Sequence, residues 1–464
     1  MFIGGGIYAF GDMPLVPGAS LPEQYTTFPD PTIQNNIAAW EGVINDCNGC
    51  GNPFDKQSYV YTENVEISHA KVGIESYWGA IIRSQNTNFY NNETSVYIQD
   101  YASTLQPLVN ACYFMDCNFK WDKSNPNFNQ NDLIGIRMNN VSGVNIGGCS
   151  FTYDERDPFD DMVPYCVNER GKGISSYNSI YAVSTSGNTF CFDDMGCLKN
   201  CYSGNMGNGS SFTNLSVGVN FLAGAGHGYV ITNSTFNNNH KGISATQNHS
   251  SLYGSLKVFD NQFYGDRSFL DLIFEDDLGD CYTNNFLIED VYSNKMIFEA
   301  YRNNFSFNGD NNNHINSVTS RGRIMSNHFY NLESTTTAAD NVTGVNVVGN
   351  NSNMIINCNT FTDMGTDIKI NHGATVKNPM HGKDPSLAAS NIFSDPLSGR
   401  YRIDNHSSNS SITYKYTGLN QINNSQFPGN SPNSNNITTT QESSFDCNLV
   451  CEELISDNGL FLRY

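Results

Sequence analysis

The sequence predicts an all-β protein, a right-handed parallel β-helix of about a dozen rungs with asparagine and aromatic ladders. Two observations predict it. A phrase built around phenylalanine recurs along most of the 464 residues, and asparagine recurs two residues before that phenylalanine. The composition agrees, because aromatic residues make up 12% of the chain and charged residues only 15%, below the usual quarter. A disordered chain would be poor in aromatic residues, so we expect a folded protein.

The repeated phrase is a short apolar strand, then Asn, any residue and Phe, followed by a polar turn. It is clearest at Ile356–Phe361 (INCNTF), and a variant with Ser before Thr and Phe stands at Val230–Phe236. Many copies lie about 20 to 30 residues apart, which is the length of one solenoid turn made from three short strands. A leucine-rich repeat would need a leucine framework, which is absent. The anchoring residues are Phe89, Phe119, Phe151, Phe190, Phe236, Phe263, Phe286, Phe305, Phe329, Phe361 and Phe393, and Phe212 divides the longest gap.

The residue two before each anchoring Phe provides an independent test. Equivalent positions in successive rungs of a parallel coil lie about 4.8 Å apart, so stacked amides can hydrogen-bond along the axis as a ladder. We therefore predict an inward column of amides beside a stack of phenylalanine rings. Its members are Asn188, Asn261, Asn284, Asn303, Asn327, Asn359 and Asn391. Thr87, Cys117, Cys149 and Ser234 occupy the same position elsewhere, and we favour stacked thiols over a disulfide for the two cysteines.

Several phrases in the chain are similar to a known class of repeat. They are AAWEGVI (38–44), VEISHAKVGI (65–74), GAIIRSQNTNFYNN (79–92) and MIINCNTFTDMGTDIKI (354–370). Over roughly residues 35 to 440 the chain resembles the pectate-lyase-like parallel β-helix segments of large exported surface proteins of Bacteroidetes. That resemblance implies export by the type IX secretion route and display at the extracellular, outer cell surface.

The chain divides into three parts by composition. Residues 1–55 are read as an N-terminal cap or irregular first rungs, and residues 56–404 carry the repeats. Residues 405–464 are a last rung or a linker that leads to the pair Cys447 and Cys451. A zinc site would need four ligands at suitable spacing, and the Cys47/Cys50 pair is far away in sequence, so we favour local disulfides or buried thiols.

One group of residues points to enzymatic chemistry. Polygalacturonases share the predicted fold and use an Asp pair followed by Gly-His-Gly, and the chain has Asp193-Asp194 and His227 between two glycines. An inverting glycosidase needs a carboxylic acid and a carboxylate base on opposite sides of the bond. The upstream catalytic aspartate is replaced by Phe190. The catalytic set is therefore incomplete, and the alternative is that the Asp pair caps a turn.

A second group could bind a cation. The stretch DERDPFDD contains Asp154, Asp157, Asp160 and Asp161, and Ca2+ takes six to eight oxygen ligands. No EF-hand spacing is present, so these residues are calcium candidates by composition alone. A solvated acidic loop is the favoured interpretation, and no other cofactor is expected.

These observations favour a non-enzymatic surface β-helix that acts as a rigid stalk or adhesive module of a larger polypeptide, with cell-surface glycans or other surface proteins as partners. Two alternatives stay open: a polysaccharide hydrolase or lyase on the same fold, and a tailspike-like depolymerase. The formal charge of −21 argues against nucleic acid as a partner. No run of about 18 apolar residues is present, so we expect no membrane span.

Overall fold

The computed structural model describes residues 7–10, 59–77, 80–99, 108–109, 112–122, 133–154, 170–186, 190–192, 198–200, 208–223, 228–248, 253–266, 287–332, 342–380, 388–393, 401–406, 412–416, 437–441 and 447. These residues form 38 β-strands and no α-helix. Most strands belong to three long sheets in which every neighbouring pair is parallel. The predicted parallel β-helix of about a dozen rungs is confirmed.

Each turn of the coil adds one strand to each sheet. The chain runs from sheet B through a tight turn to sheet C, then to sheet A, and then back to sheet B. Sheet A contains β1 (Ile7–Phe10), β4 (Val72–Tyr77), β7 (Thr94–Gln99), β11 (Ile134–Asn139), β14 (Lys172–Tyr177), β19 (Val217–Ala223), β22 (Lys241–Gln247), β25 (Ile288–Asn294), β28 (Asn312–Val318), β31 (Val342–Val348), β34 (Thr366–Ile370) and β36 (Tyr401–Asn405).

Sheets B and C follow the same order along the axis. Sheet B contains β2 (Tyr59–Glu63), β5 (Ile81–Gln85), β9 (Tyr113–Met115), β12 (Val141–Gly147), β15 (Ile180–Ser184), β20 (Gly228–Thr232), β23 (Gly254–Phe259), β26 (Met296–Tyr301), β29 (Arg321–Met325) and β32 (Met354–Asn357), with β8 (Leu108–Val109) beside β12. Sheet C contains β3 (Glu66–Ser68), β6 (Asn88–Tyr90), β10 (Asn118–Asp122), β13 (Ser150–Asp154), β18 (Ser211–Thr213), β21 (Thr235–Asn237), β24 (Gln262–Asp266), β27 (Asn304–Asn308), β30 (His328–Asn331), β33 (Thr360–Thr362) and β35 (Ile392–Phe393).

Two strand pairs lie outside these three sheets. Strand β16 (Phe190–Phe192) pairs with β17 (Leu198–Asn200) in an antiparallel hairpin. Strand β37 (Ile412–Tyr416) pairs in parallel register with β38 (Ile437–Gln441). The second pair shows that strands continue beyond residue 404, within the part that the sequence assigns to a last rung or a linker.

The core is organised around the predicted phenylalanine stack. Sheet C places one inward Phe in each rung from β6 onward, and successive ring centroids lie 4.5 to 5.5 Å apart with nearly parallel planes. The stack consists of Phe89, Phe119, Phe151, Phe212, Phe236, Phe263, Phe305, Phe329, Phe361 and Phe393. All of these side chains are buried, so the stack is a continuous apolar interior.

A glycine column in sheet A makes room for these rings. A Cβ atom on Gly218 would lie 2.6 Å from the carbonyl oxygen of Gly242 and 3.0 Å from the Phe236 ring. Gly135, Gly173 and Gly344 meet similar obstacles. Two rungs carry Asp290 and His314 in the same column instead of glycine. Their side chains form a 2.5 Å hydrogen bond in the core, between Asp290 Oδ2 and His314 Nδ1. The backbone of the glycine rungs therefore approaches the stack more closely than a side chain permits.

The asparagine ladder lies at the turn between sheets B and C. The residue before each ladder position has a positive φ, as at Asp260 (58°) and Arg302 (48°), and Asn or Asp tolerates that conformation more readily than most residues. The Nδ2 atom of each ladder asparagine donates to Oδ1 of the next at 2.9 to 3.1 Å. The bonded members are Asn261, Asn303, Asn327, Asn359 and Asn391.

Two of the predicted rungs are wrong. Strand β24 pairs directly with β27, and Asn261 bonds directly to Asn303, which leaves no rung for Asn284 and Phe286. In sequence, both residues follow β24 and precede β25. Phe151 stacks directly on Phe212, and Phe190 lies in the β16–β17 hairpin. Asn188, Asn284 and Phe286 lie outside the described residues.

The cysteines of the ladder are reduced, as predicted. Cys117 and Cys149 are buried thiols, and Cys112 is a third buried cysteine. A local pairing of Cys447 with Cys451 is wrong, because Cys447 forms a disulfide with Cys358 across 89 residues. Cys47, Cys50 and Cys451 lie outside the described residues.

Candidate functional site

The residues predicted to carry chemistry fall almost entirely outside the described part of the chain. This applies to the catalytic candidates Asp193, Asp194 and His227, so their role stays a prediction.

The calcium candidates Asp157, Asp160 and Asp161 also lie outside the described residues. Asp154 ends β13 and forms a 2.5 Å ion pair with Lys120, in which both side chains are about half exposed. Among the described residues, no group of three or more His, Cys, Asp or Glu side chains converges on a common point.

The outer face of sheet A around Glu289 is polar but largely buried. Lys241 Nζ lies 2.7 Å from a carboxylate oxygen of Glu289, and Asn316 donates to the other oxygen at 2.5 Å. Asn346 donates to Asn316 at 3.2 Å. Glu289 and both asparagines are less than a tenth exposed. The polar groups of this face are therefore bonded to one another and offer little surface to a ligand.

The outer face of sheet B carries charges. Lys257 and Glu299 form a 3.4 Å ion pair on neighbouring strands. Arg321 and Arg323 follow on β29. A ligand on this face would meet fixed charges of both signs.

The outer face of sheet C is different, because it carries no Asp, Glu, Lys or Arg side chain over six successive rungs and has exposed side chains at four of its positions. Residues on either side of each anchoring Phe point outward, since neighbouring residues in a strand alternate between faces. We name this surface the C strip. One column consists of Ser211, Thr235, Gln262, Asn304, His328 and Thr360, and the other of Thr213, Asn237, Tyr264, Ser306, Tyr330 and Thr362.

Two tyrosines are the largest side chains of the C strip. Tyr264 and Tyr330 occupy the same column with Ser306 between them, so they stand two rungs, about 10 Å, apart. Tyr264 is 39% exposed, whereas Ser306 is only 6% exposed. Ser306 therefore forms the floor between two aromatic side chains.

Amide and imidazole groups border the tyrosines. Exposed Gln262 and His328 lie in the neighbouring column, with Asn304 on the rung between them. The His328 and Tyr330 rings are 5.3 Å apart. Burial, together with the nearby Asp266 and Tyr330, raises the pKa of Tyr264, so its hydroxyl remains a hydrogen-bond donor at neutral pH. The strip combines aromatic faces with neutral donors and acceptors.

None of these residues is among the candidates predicted from the sequence. The signal was present in the phrase itself, since Gln262-Phe263-Tyr264 and His328-Phe329-Tyr330 place the aromatic residue at the same offset from the anchoring Phe. The residue after an inward Phe faces outward. Because each tyrosine directly follows an anchoring Phe, both belong to the same outward-facing column.

Comparisons with known proteins add little beyond the fold. No family model matches the chain, and no curated protein matches it. A crystal structure of a periplasmic alginate epimerase double mutant is similar at 9% sequence identity, over 82% of this chain and 76% of that chain, with a TM-score of 0.24. A likeness this distant carries no argument about activity.

The described part of the chain contains no helix that is long and apolar enough to cross a membrane.

Proposed function

We propose that the chain is a non-enzymatic, rigid β-helix segment of a larger exported protein, and that it binds neutral glycans through the C strip. The observation that carries the proposal is the pair Tyr264 and Tyr330 on the outer face of sheet C, where Tyr264 is 39% exposed and Tyr330 is half-buried. Aromatic rings offer apolar faces on which the C–H groups of a sugar can stack, while the hydroxyl keeps a polar contact. The resemblance to Bacteroidetes surface proteins supports display on the outer cell surface as part of this proposal.

The charge of the protein favours neutral ligands. The net charge of −21 repels polyanions at low salt, because fields of one sign act over about a Debye length. The C strip itself contains no Asp, Glu, Lys or Arg side chain. Uncharged sugars can therefore approach this surface without an electrostatic penalty.

A glycan panel tests the proposal. The purified chain is incubated with immobilised neutral and acidic glycans, and bound protein is quantified at low and high salt. We expect binding to neutral glycans, weakened about tenfold by Tyr264→Ala or Tyr330→Ala, which corresponds to about 1.4 kcal/mol. Tyr177→Ala is the matched control, because Tyr177 is 44% exposed on sheet A. Absence of binding to every glycan, or equal loss in the control, would contradict the proposal.

The same samples test for turnover. The enzyme alternatives require new reducing ends or an unsaturated uronate product, with or without Ca2+. We expect neither. Turnover that disappears in Asp194→Asn or His227→Ala would replace the binding function with hydrolase or lyase chemistry.

A further inference from the structure

We propose that the ligand of the C strip is an extended β-1,4-linked neutral polysaccharide that lies along the coil axis and contacts several rungs at once. This inference rests on the proposed function and specifies its ligand. It follows from the shape of the strip, the spacing of its tyrosines and its lack of charge.

The strip has the shape of an extended chain. Its two columns are in unbroken parallel register from Ser211 to Thr360 and from Thr213 to Thr362. Six rungs at about 4.8 Å give a length of about 25 Å, and two residues along a strand give a width of about 7 Å. A surface that is long and narrow fits an internal stretch of a polymer rather than a single sugar.

The tyrosine spacing selects the linkage. Tyr264 and Tyr330 lie two rungs apart with the small Ser306 between them. In an extended β-1,4-linked chain alternate sugars present the same face to the same side, and the repeat of two sugars is close to two rungs. The sugar between them turns its opposite face toward the strip, above the buried Ser306 and beside the half-buried Asn304. An α-1,4-linked chain coils and cannot keep this register.

The polar column supplies regular hydrogen-bond partners. Thr235, Gln262 and His328 are exposed, and the half-buried Asn304 and Thr360 occupy the same column at the rung spacing. Hydroxyl groups along one edge of a flat sugar ribbon would meet these groups in succession. We therefore expect the binding free energy to accumulate along the chain rather than at one subsite.

Calorimetric titration with a series of β-1,4-linked gluco-oligosaccharides tests the inference, from the disaccharide to the hexasaccharide. We expect the association constant to rise with each added sugar until the chain spans the strip, at least tenfold in total. The α-1,4-linked series of the same lengths is the comparison, and we expect at least tenfold weaker binding. Equal affinity for the two linkages, or no dependence on length, would overturn the inference.

A composition-conserving variant tests the register. The double substitution Tyr330→Thr with Thr362→Tyr keeps both aromatic side chains but separates them by three rungs. We expect it to weaken hexasaccharide binding as much as Tyr330→Ala does, with an unchanged melting temperature. Wild-type affinity in this variant would overturn the inference. If the protein binds neutral glycans on the panel but shows no dependence on ligand length or on tyrosine register, the inference of an extended ligand is refuted and the proposed function stands. If the protein binds no glycan at all, the proposed function is refuted as well.

Discussion

At the scale of single residues, the ladder shows how one amide can be bonded on several sides. Asn303 Nδ2 donates to Asn327 Oδ1 at 2.9 Å and to the carbonyl of Val258 at 2.8 Å. Its Oδ1 accepts from Nδ2 and from the backbone N–H of Asn261. A buried polar group left without its partner destabilises a protein by about 1 to 3 kcal/mol. The ladder therefore makes each turn depend on the next.

Asn303→Leu should lower the free energy of unfolding by several kcal/mol, at about 1 to 3 kcal/mol for each group left unpaired. The substitution leaves Asn261 and Val258 with unpaired buried groups. Asn304→Leu is the matched control, since its side chain points outward from the same strand, and it should stay within about 0.5 kcal/mol of wild type. Chemical denaturation measures both variants. Equal stability of the two variants would show that the amide column does not support the fold.

The buried thiol Cys112 gives a pH-dependent prediction. Burial raises the pKa of Cys112 to about 12, and the thiolate is the form that reacts with an alkylating agent. Because the folded-state pKa lies above the usual thiol value, reaction in the native protein should be negligible at pH 7 and rise about tenfold per pH unit below that pKa. Mass spectrometry of the alkylated peptide measures the rate. Rapid native labelling at pH 7 would contradict the burial of this residue.

At the scale of elements, the glycine column and the phenylalanine stack depend on each other. The phenylalanine rings reach from sheet C to the backbone of sheet A. The glycine positions of the facing strands therefore have little room for a larger side chain. Gly218 illustrates this, because an added Cβ would meet both a carbonyl oxygen and the Phe236 ring. Substitution there must displace backbone or a fully buried ring.

Gly218→Ala should therefore destabilise the protein by about 1 to 3 kcal/mol, the usual effect of overpacking. Gly228→Ala provides the control, since the nearest atom to its added Cβ is the Ser255 Cβ at 3.9 Å, which is ordinary contact. Thermal unfolding of the two variants gives the comparison. Similar melting temperatures would mean that sheet A does not approach the stack as closely as the structure shows.

The sequence predicted the positions of the ladder asparagines and stacked phenylalanines correctly where the repeated phrase lies at the turn between sheets B and C. At Asn303 and Phe305 the phrase follows a sheet B strand and a residue with positive φ, so both side chains enter their columns. The phrase at Asn284 and Phe286 has the same letters, but the described strand that comes before it is β24 of sheet C. Pairing between distant strands decides the difference, and a local pattern does not contain it. The C strip was missed because outward positions vary from rung to rung.

At the scale of the whole molecule, each rung contacts mainly its neighbours, as in other solenoids. The Cys358–Cys447 disulfide is an exception, because it connects a turn of the coil to a position 89 residues later. A cross-link that closes a long loop restricts the unfolded chain and commonly contributes about 2 to 4 kcal/mol.

The double variant Cys358→Ser/Cys447→Ser should be less stable than wild type by about 2 to 4 kcal/mol. Reductant should lower the melting temperature of wild type more than that of the variant, because only wild type has this bond to lose. Scanning calorimetry with and without reductant measures the difference. An equal response of both proteins would show that the cross-link has no effect on stability.

The unequal rung lengths and the same disulfide together determine how the molecule responds to mechanical force. Rungs released one at a time lengthen the chain unequally, because 42 residues separate Asn261 from Asn303 but only 24 separate Asn303 from Asn327. At about 3.4 Å per extended residue, these steps are about 140 Å and 80 Å. Tension applied at the two ends passes through the sulfur–sulfur bond from Cys358 to Cys447. The residues between these cysteines therefore carry no load while the coil before Cys358 is drawn out.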